Sequence, residues 1–158
     1  MPIWKAGDKS VSQGFTLLEV LLVLVLLGMV SAIVAPALNR GYQNSTLDTT
    51  TRTITSLLRY ARASAIQHRV MTNFRFDSTM RSYSASNALT VSKLPNFIHL
   101  FTQDGEPIGE ETALQINFYP SGTSSGGEFL IGNDKRIFRI LVNPVTGRVS
   151  AEKIVQDK

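Results

Sequence analysis

Gly14-Phe15-Thr16-Leu17-Leu18-Glu19-Val20-Leu21-Leu22-Val23-Leu24 opens the apolar run whose reading decides the fold. Glu19 is a lone carboxylate in it, because no other charge occurs from Val20 to Asn39. A charged side chain inside hydrocarbon costs about 2.5–3.5 kcal/mol on insertion scales. A mere anchor would not keep that cost, so Glu19 calls for a positive partner. The apolar segment, residues 15–38, is 24 residues long. As a helix rising about 1.5 Å per residue it reaches about 36 Å, enough to span a bilayer. Gly28, Ser31 and Pro36 lie in its second half. Pro36 lacks an N–H and clashes with the preceding turn, which predicts a kink there.

Outward from this run, residues 1–14 are short and polar, with Lys5, Asp8 and Lys9. They are too few to fold and read as a cytoplasmic n-region held inside by positive charge. On the other side the helical pattern continues. Leu47, Ile54, Leu57, Leu58, Ala61 and Ala65 recur at helical spacings and share one stripe. Arg52, Arg59, Arg62 and Arg69 occupy a separate arc. One helix over residues 15–68 is expected, apolar all round in its first half and amphipathic across 39–69. Its stripe needs a sheet or another core to cover it.

From Val70 the period changes to two: Val70, Thr72, Phe74 and Phe76 alternate with Met71, Asn73 and Arg75. Further strands are expected at 81–86, 96–101, 114–119, 128–131, 136–142 and 147–151, separated by turn-rich segments. Short strands with tight turns imply an antiparallel meander. A helix followed by many strands is an α+β order. The expected organisation is a leader at 1–14, a transmembrane helix at 15–38, its amphipathic continuation at 39–69 and an antiparallel β domain at 70–158.

The chain of 158 residues with net charge +4 has no cysteine, which excludes disulfides and thiolate metal sites. The charge is uneven. Residues 40–75 hold six arginines against Asp48 alone, whereas 76–158 are nearly neutral. The basic helix face reads either as a solvated surface or as a docking face for acidic partner subunits or lipid headgroups. His68 and His99 have no motif-grade partner, and Ser124 and Ser125 lack a nucleophile-elbow pattern, so no enzyme is expected. Asp104, Glu106, Glu110 and Glu111 read as a solvated acidic loop rather than a cation site. No cofactor or metal is expected.

Three readings fit the N-terminus. A secretory signal would use Ala35-Pro36-Ala37 as its cleavage site, but Glu19 intrudes on the apolar region and Pro36 on the cleavage site. A plain anchor leaves Glu19 without purpose. The third fits best: Gly14-Phe15-Thr16-Leu17-Leu18-Glu19 closely resembles the cleavage motif of type IV pilin-like proteins. The resemblance implies cleavage between Gly14 and Phe15 by a prepilin peptidase, N-methylation of Phe15, and charge pairing through Glu19 during assembly. Cleavage would free an α-amino group at Phe15, with a reference pKa of about 8 and hence largely protonated at neutral pH. Glu19 of one subunit could then meet the amine of a neighbour.

The C-terminal half narrows the resemblance. Phe118-Tyr119-Pro120-Ser121-Gly122-Thr123-Ser124-Ser125-Gly126-Gly127, followed by Asn143-Pro144-Val145-Thr146-Gly147-Arg148, is similar to the H-type minor pseudopilins of type II secretion, the GspH/FimT group. Locally, Gly122, Gly126 and Gly127 permit positive φ in a loop between strands, Pro144 to Gly147 read as a tight turn joining the last two strands, and both loops read as simple hairpin turns. The resemblance implies a pilin fold and a structural subunit near the tip of a periplasmic pseudopilus. Its implied partners are other minor pseudopilins, the major pseudopilin, the prepilin peptidase, an inner-membrane assembly platform and inner-membrane lipid. The N-terminus would be cytoplasmic, with a single pass and a periplasmic β domain. The alternative is a FimT-like minor type IV pilin in pilus assembly or DNA uptake. The Gly-Arg-x-Arg pattern associated with DNA uptake is incomplete here, since Gly147-Arg148-Val149-Ser150 lacks the second arginine. Nucleic acid is therefore not an expected partner, although Arg136, Arg139 and Arg148 could reach phosphates.

Overall fold

The computed structural model describes residues 15–86, 88, 91–109 and 114–154, with backbone only for 33–40. Gly14, the side chain of Pro36 with its expected kink, Glu110 and Glu111 lie outside the described residues. The chain divides into two compact units, Met1–Arg40 and Gly41–Lys158.

Helix α1 spans Leu17–His68, close to the expected limits. Thr16 caps its first turn: the Glu19 N–H donates to Thr16 Oγ1 at 3.2 Å. Thr16 and Glu19 thus stand at the first and last positions of a Thr-x-x-Glu capping box. In the first unit every described side chain is exposed. The Ser31 hydroxyl donates to Leu27 O at 2.8 Å, so its polar group is satisfied within the helix. Among the described residues no helix is long and apolar enough to cross a membrane. The apolar run in the sequence continues to Leu38, into the segment whose side chains are not described.

In the second unit α1 buries Leu47, Ile54, Leu58, Ala61 and Ala65, with Leu57 partly buried beside them. This is the expected stripe. Between its members the helix is rich in threonine, a poor helix former. Thr49, Thr51, Thr53 and Thr55 each donate their hydroxyl to the carbonyl four residues back, at 2.8–2.9 Å. That is how Thr51 and Thr55 are buried without an unsatisfied hydroxyl. The helix ends at Arg69, which adopts a left-handed φ of 55°.

Among the described residues eight strands follow: β1 Thr72–Asp77, β2 Ser82–Ala85, β3 Ser92–Lys93, β4 His99–Thr102, β5 Leu114–Phe118, β6 Gly127–Gly132, β7 Ile137–Val142 and β8 Val149–Ile154. All pairings are antiparallel, but they do not form one meander. There are two four-stranded sheets, ordered β3-β2-β1-β5 and β4-β6-β7-β8. The expectation failed because alternation tells which side chains point inward and says nothing about which strand lies alongside. β5 returns to β1, and β4 pairs with β6 across it in sequence. β3 was not expected; two residues are too few for a period to register.

The sheets and the helix share one core. Phe74 of β1 stacks on Phe129 of β6, with centroids 6.4 Å apart and planes at 12°. Phe74 also meets Tyr83 of β2 at 6.4 Å. Burial pushes the Tyr83 phenol up from its ordinary value, partly countered by a hydrogen bond with Ser92 on β3. The buried Thr72 hydroxyl donates to Ala61 O on the helix at 2.7 Å. The passage from the first sheet to the second is pinned by Arg81. Its Nη2 donates to Pro95 O at 3.1 Å and Ile98 O at 2.6 Å.

Candidate functional site

The two regions singled out by resemblance behave differently. At the N-terminal end, Phe15 and Glu19 are one helical turn apart and line the same shallow depression with Val20, Val23 and Leu24.

The C-terminal motif residues meet at one place in the second unit. The 143–148 turn joins β7 to β8 as a tight hairpin, as expected. Asn143 Oδ1 accepts from the N–H groups of Val145 and Thr146, at 3.0 and 2.9 Å. The Gly147 N–H donates to Asn143 O at 2.8 Å. Residues 119–123 form the expected hairpin turn, with the Tyr119 N–H donating to Thr123 O at 3.0 Å, the Ser125 N–H to Asn117 O at 2.8 Å and Phe118 bridging Ser124 antiparallel; from there the chain crosses to β6 in the other sheet. The crossing is fixed by a second set of partners. The Ser124 N–H donates to Pro144 O at 2.8 Å. Ser124 Oγ donates to Asn143 O at 3.0 Å and accepts from the Gly126 N–H at 3.0 Å. The loop is thus hydrogen-bonded to the 143–148 turn.

Helix α1 supplies the third member. Arg62 Nε donates to Gly122 O at 3.1 Å, and Arg59 Nη2 donates to Val149 O at 3.3 Å. A Cβ on Gly147 would stand 2.3 Å from Gly122 O and 2.7 Å from Arg62 Nε. A Cβ on Gly126 would stand 3.0 Å from the Pro144 ring. Two of the motif glycines are therefore demanded by close approach as well as by positive φ. Phe118 is fully buried in the core, while Pro120, Thr146 and Arg148 are exposed. Arg59 and Arg62 were read only as part of a basic arc, and their fastening role was missed. Their three-residue spacing on one helix face was visible; their carbonyl partners were not. Replacing Arg62 with Ala removes a charge-assisted hydrogen bond and is expected to destabilise the unit by about 2 kcal/mol. Denaturant unfolding measures this directly.

The serine and histidine weighed as catalytic candidates are held in local bonds. Ser124 Oγ is engaged on both sides by backbone. His68 Nδ1 lies 3.3 Å from Ser64 Oγ and 3.1 Å from Ser64 O on its own helix. Among the described residues no three His, Asp or Glu side chains cluster to hold a metal. The three arginines considered for phosphate contact do not share a surface. Arg136 lies 3.6 Å from Asp48 of α1, and Arg139 pairs with Glu128 at 3.0 Å. Strand alternation puts Arg136 and Arg139 on opposite faces of β7.

The same alternation shapes a cleft of about 600 Å³ along the helix, lined among others by Asp48, Arg52, Arg59, Arg136, Phe138 and Lys153. Phe138 and Lys153 are register partners on the helix-facing side of β7 and β8. Glu152, one residue from Lys153, points to the other face with Arg139.

A long N-terminal helix packed on antiparallel sheets is the α+β fold of pilins and pseudopilins. The structure of the minor pseudopilin EpsH from the type 2 secretion system of Vibrio cholerae superposes with a TM-score of 0.52 at 13% identity, covering 67% of this chain and 95% of that one. The type IV minor pilin FimU of Pseudomonas aeruginosa gives 0.53 at 13% identity, covering 70% of this chain and 90% of that one. Residues 9–35 match the prokaryotic N-terminal methylation motif, and residues 50–147 match the family described as type II transport protein GspH. The chain belongs to the GspH family. Type II secretion system protein H of Xanthomonas campestris pv. campestris is 28% identical over 138 residues, 87% of this chain and 81% of that protein.

Proposed function

We propose that this protein works as a minor pseudopilin, a structural subunit of a type II secretion pseudopilus that aids export of folded proteins. The observation that carries the reading is the presence of a methylation motif at 9–35 and the GspH region at 50–147 on one chain with a pilin fold. Its role is mechanical rather than catalytic, and the subunit sits near the pseudopilus tip among other minor pseudopilins.

The detailed steps follow from the N-terminal chemistry. A prepilin peptidase cuts between Gly14 and Phe15, and Phe15 is then N-methylated. The segment 15–38 holds the subunit in the inner membrane by a single pass, with the β domain in the periplasm, until the assembly platform extracts it. Removing Glu19 from water is costly, and so is removing the Phe15 ammonium. When Glu19 meets the amine of a neighbouring subunit, each charge removes the cost of the other. The strong attraction in low dielectric also sets the axial register of adjacent helices.

Mass spectrometry of the mature chain tests this sequence of events. A mature protein beginning with methylated Phe15 is the expected result. One that retains Met1, or that begins after Ala37, overturns it. A FimT-like role in DNA uptake has less support, because the second arginine after Gly147 is missing and Arg139 is engaged by Glu128.

A further inference from the structure

We propose that the cleft between α1 and the β7–β8 edge receives an acidic segment of a neighbouring protein subunit, through two or more of its carboxylates. The partner being a fellow subunit rests on the assembly reading above; the charge preference of the cleft does not.

Four cations, Arg52, Arg59, Arg136 and Lys153, line this cleft against one carboxylate, Asp48. Of these, Arg59 is held by Val149 O and Arg136 lies near Asp48. Arg52 and Lys153 are exposed, and no hydrogen bond or ion pair engages either among the described residues. Among the described residues the acids of the neighbouring strands do not neutralise them. Glu128 and Glu152 occupy the opposite face of the sheet, where Glu128 is taken by Arg139. Alternation has thus sorted the charges, leaving the helix side of β8 positive.

The rest of the lining decides the class of ligand. The hydroxyls of Thr51 and Thr55 are already donated to the helix backbone, so they can only accept. Carboxylate recognition therefore falls to the cations, with the exposed Ser56 hydroxyl as one further donor. Phe138 and Ala151 supply an apolar floor suited to the aliphatic part of a peptide. At about 600 Å³ the cleft holds a few side chains, and it cannot admit a duplex. Its single aromatic is partly buried on the floor, where a row of stacked bases would need several exposed rings.

The test uses the full chain in nonionic detergent and a fluorescently labelled hexaglutamate peptide at low salt. Hexaglutamate should bind, uncharged hexaglutamine should not, and raising the salt should weaken binding. The double variant Arg52→Glu with Lys153→Glu should lose at least tenfold in affinity, while Asp48→Asn should gain severalfold. Arg148→Glu, outside this cleft, should bind as the parent does. Equal binding by the double variant and the parent, or no binding at all, overturns the proposal. So does tighter binding of an oligothymidine or of phosphatidylglycerol mixed micelles that is lost in the same double variant. Thermal melts confirm that Arg52→Glu with Lys153→Glu folds; should it melt early, the Asp48→Asn gain and the salt dependence still decide. Peptide binding is scored without secretion, so a failure here leaves the pseudopilin reading standing, and a failure of that reading leaves the cleft's charge preference measurable.

Discussion

Replacing Gly147 with alanine is expected to destabilise the Gly41–Lys158 unit by about 3 kcal/mol and to lower its melting temperature by roughly 10 °C. Two effects combine. Gly147 has φ of 62°, a conformation that disfavours a side chain by about 1 kcal/mol. The added Cβ would also stand 2.3 Å from Gly122 O, a backbone atom that cannot rotate away. Relief requires the two loops to separate, which breaks the bond from Arg62 Nε to Gly122 O. The Gly147→Ala and Arg62→Ala costs should therefore overlap, and the double variant should lose clearly less than their sum. Gly109→Ala, with nothing within 4 Å of the new Cβ, serves as the control and should be neutral. A melting temperature for Gly147→Ala within 2 °C of the parent would show that the loops are not locked together.

Changing Glu19 to alanine should leave membrane insertion at the parent level while reducing incorporation into pseudopili, and with it protein secretion, by at least tenfold. Glu19 stands where it can serve two ends. Its position in the first turn, three residues after Thr16, suits helix capping and the helix dipole. Loss of that contribution alone costs about 0.3–1 kcal/mol, too little to abolish assembly. Glu19→Gln separates the roles, because glutamine can occupy a capping box but carries no charge. If the carboxylate pairs with a neighbour's amine, Glu19→Gln should fail as Glu19→Ala does. Normal secretion by Glu19→Gln would leave only the capping role and remove the pairing.

What could be read in advance follows the range of each interaction. The helix end at His68 and the stripe from Leu47 to Ala65 are periodic features of neighbouring residues, and both appear as expected. Most strands were found for the same reason. The division into two sheets was not, because β1 lies beside β5 across some forty residues and nothing local encodes that choice. Arg62 looked like a solvated cation because its acceptor, Gly122 O, is 60 residues away and is a backbone atom with no identity of its own. The glycines of the motif were legible as positions of unusual φ. That Gly147 must also let Arg62 and Gly122 pass within contact distance was not, since approach depends on three segments at once. The sorting of Glu128 and Glu152 away from Lys153 was available from period two alone, once the inward face of β7 and β8 was known.

The threonines folded back on their own turns leave α1 with an inherited rigidity. Between Ser45 and Thr55 its residues form helix poorly by themselves, and the buried stripe against the sheets holds them in place. An unfinished sheet would therefore loosen this stretch of α1 along with itself.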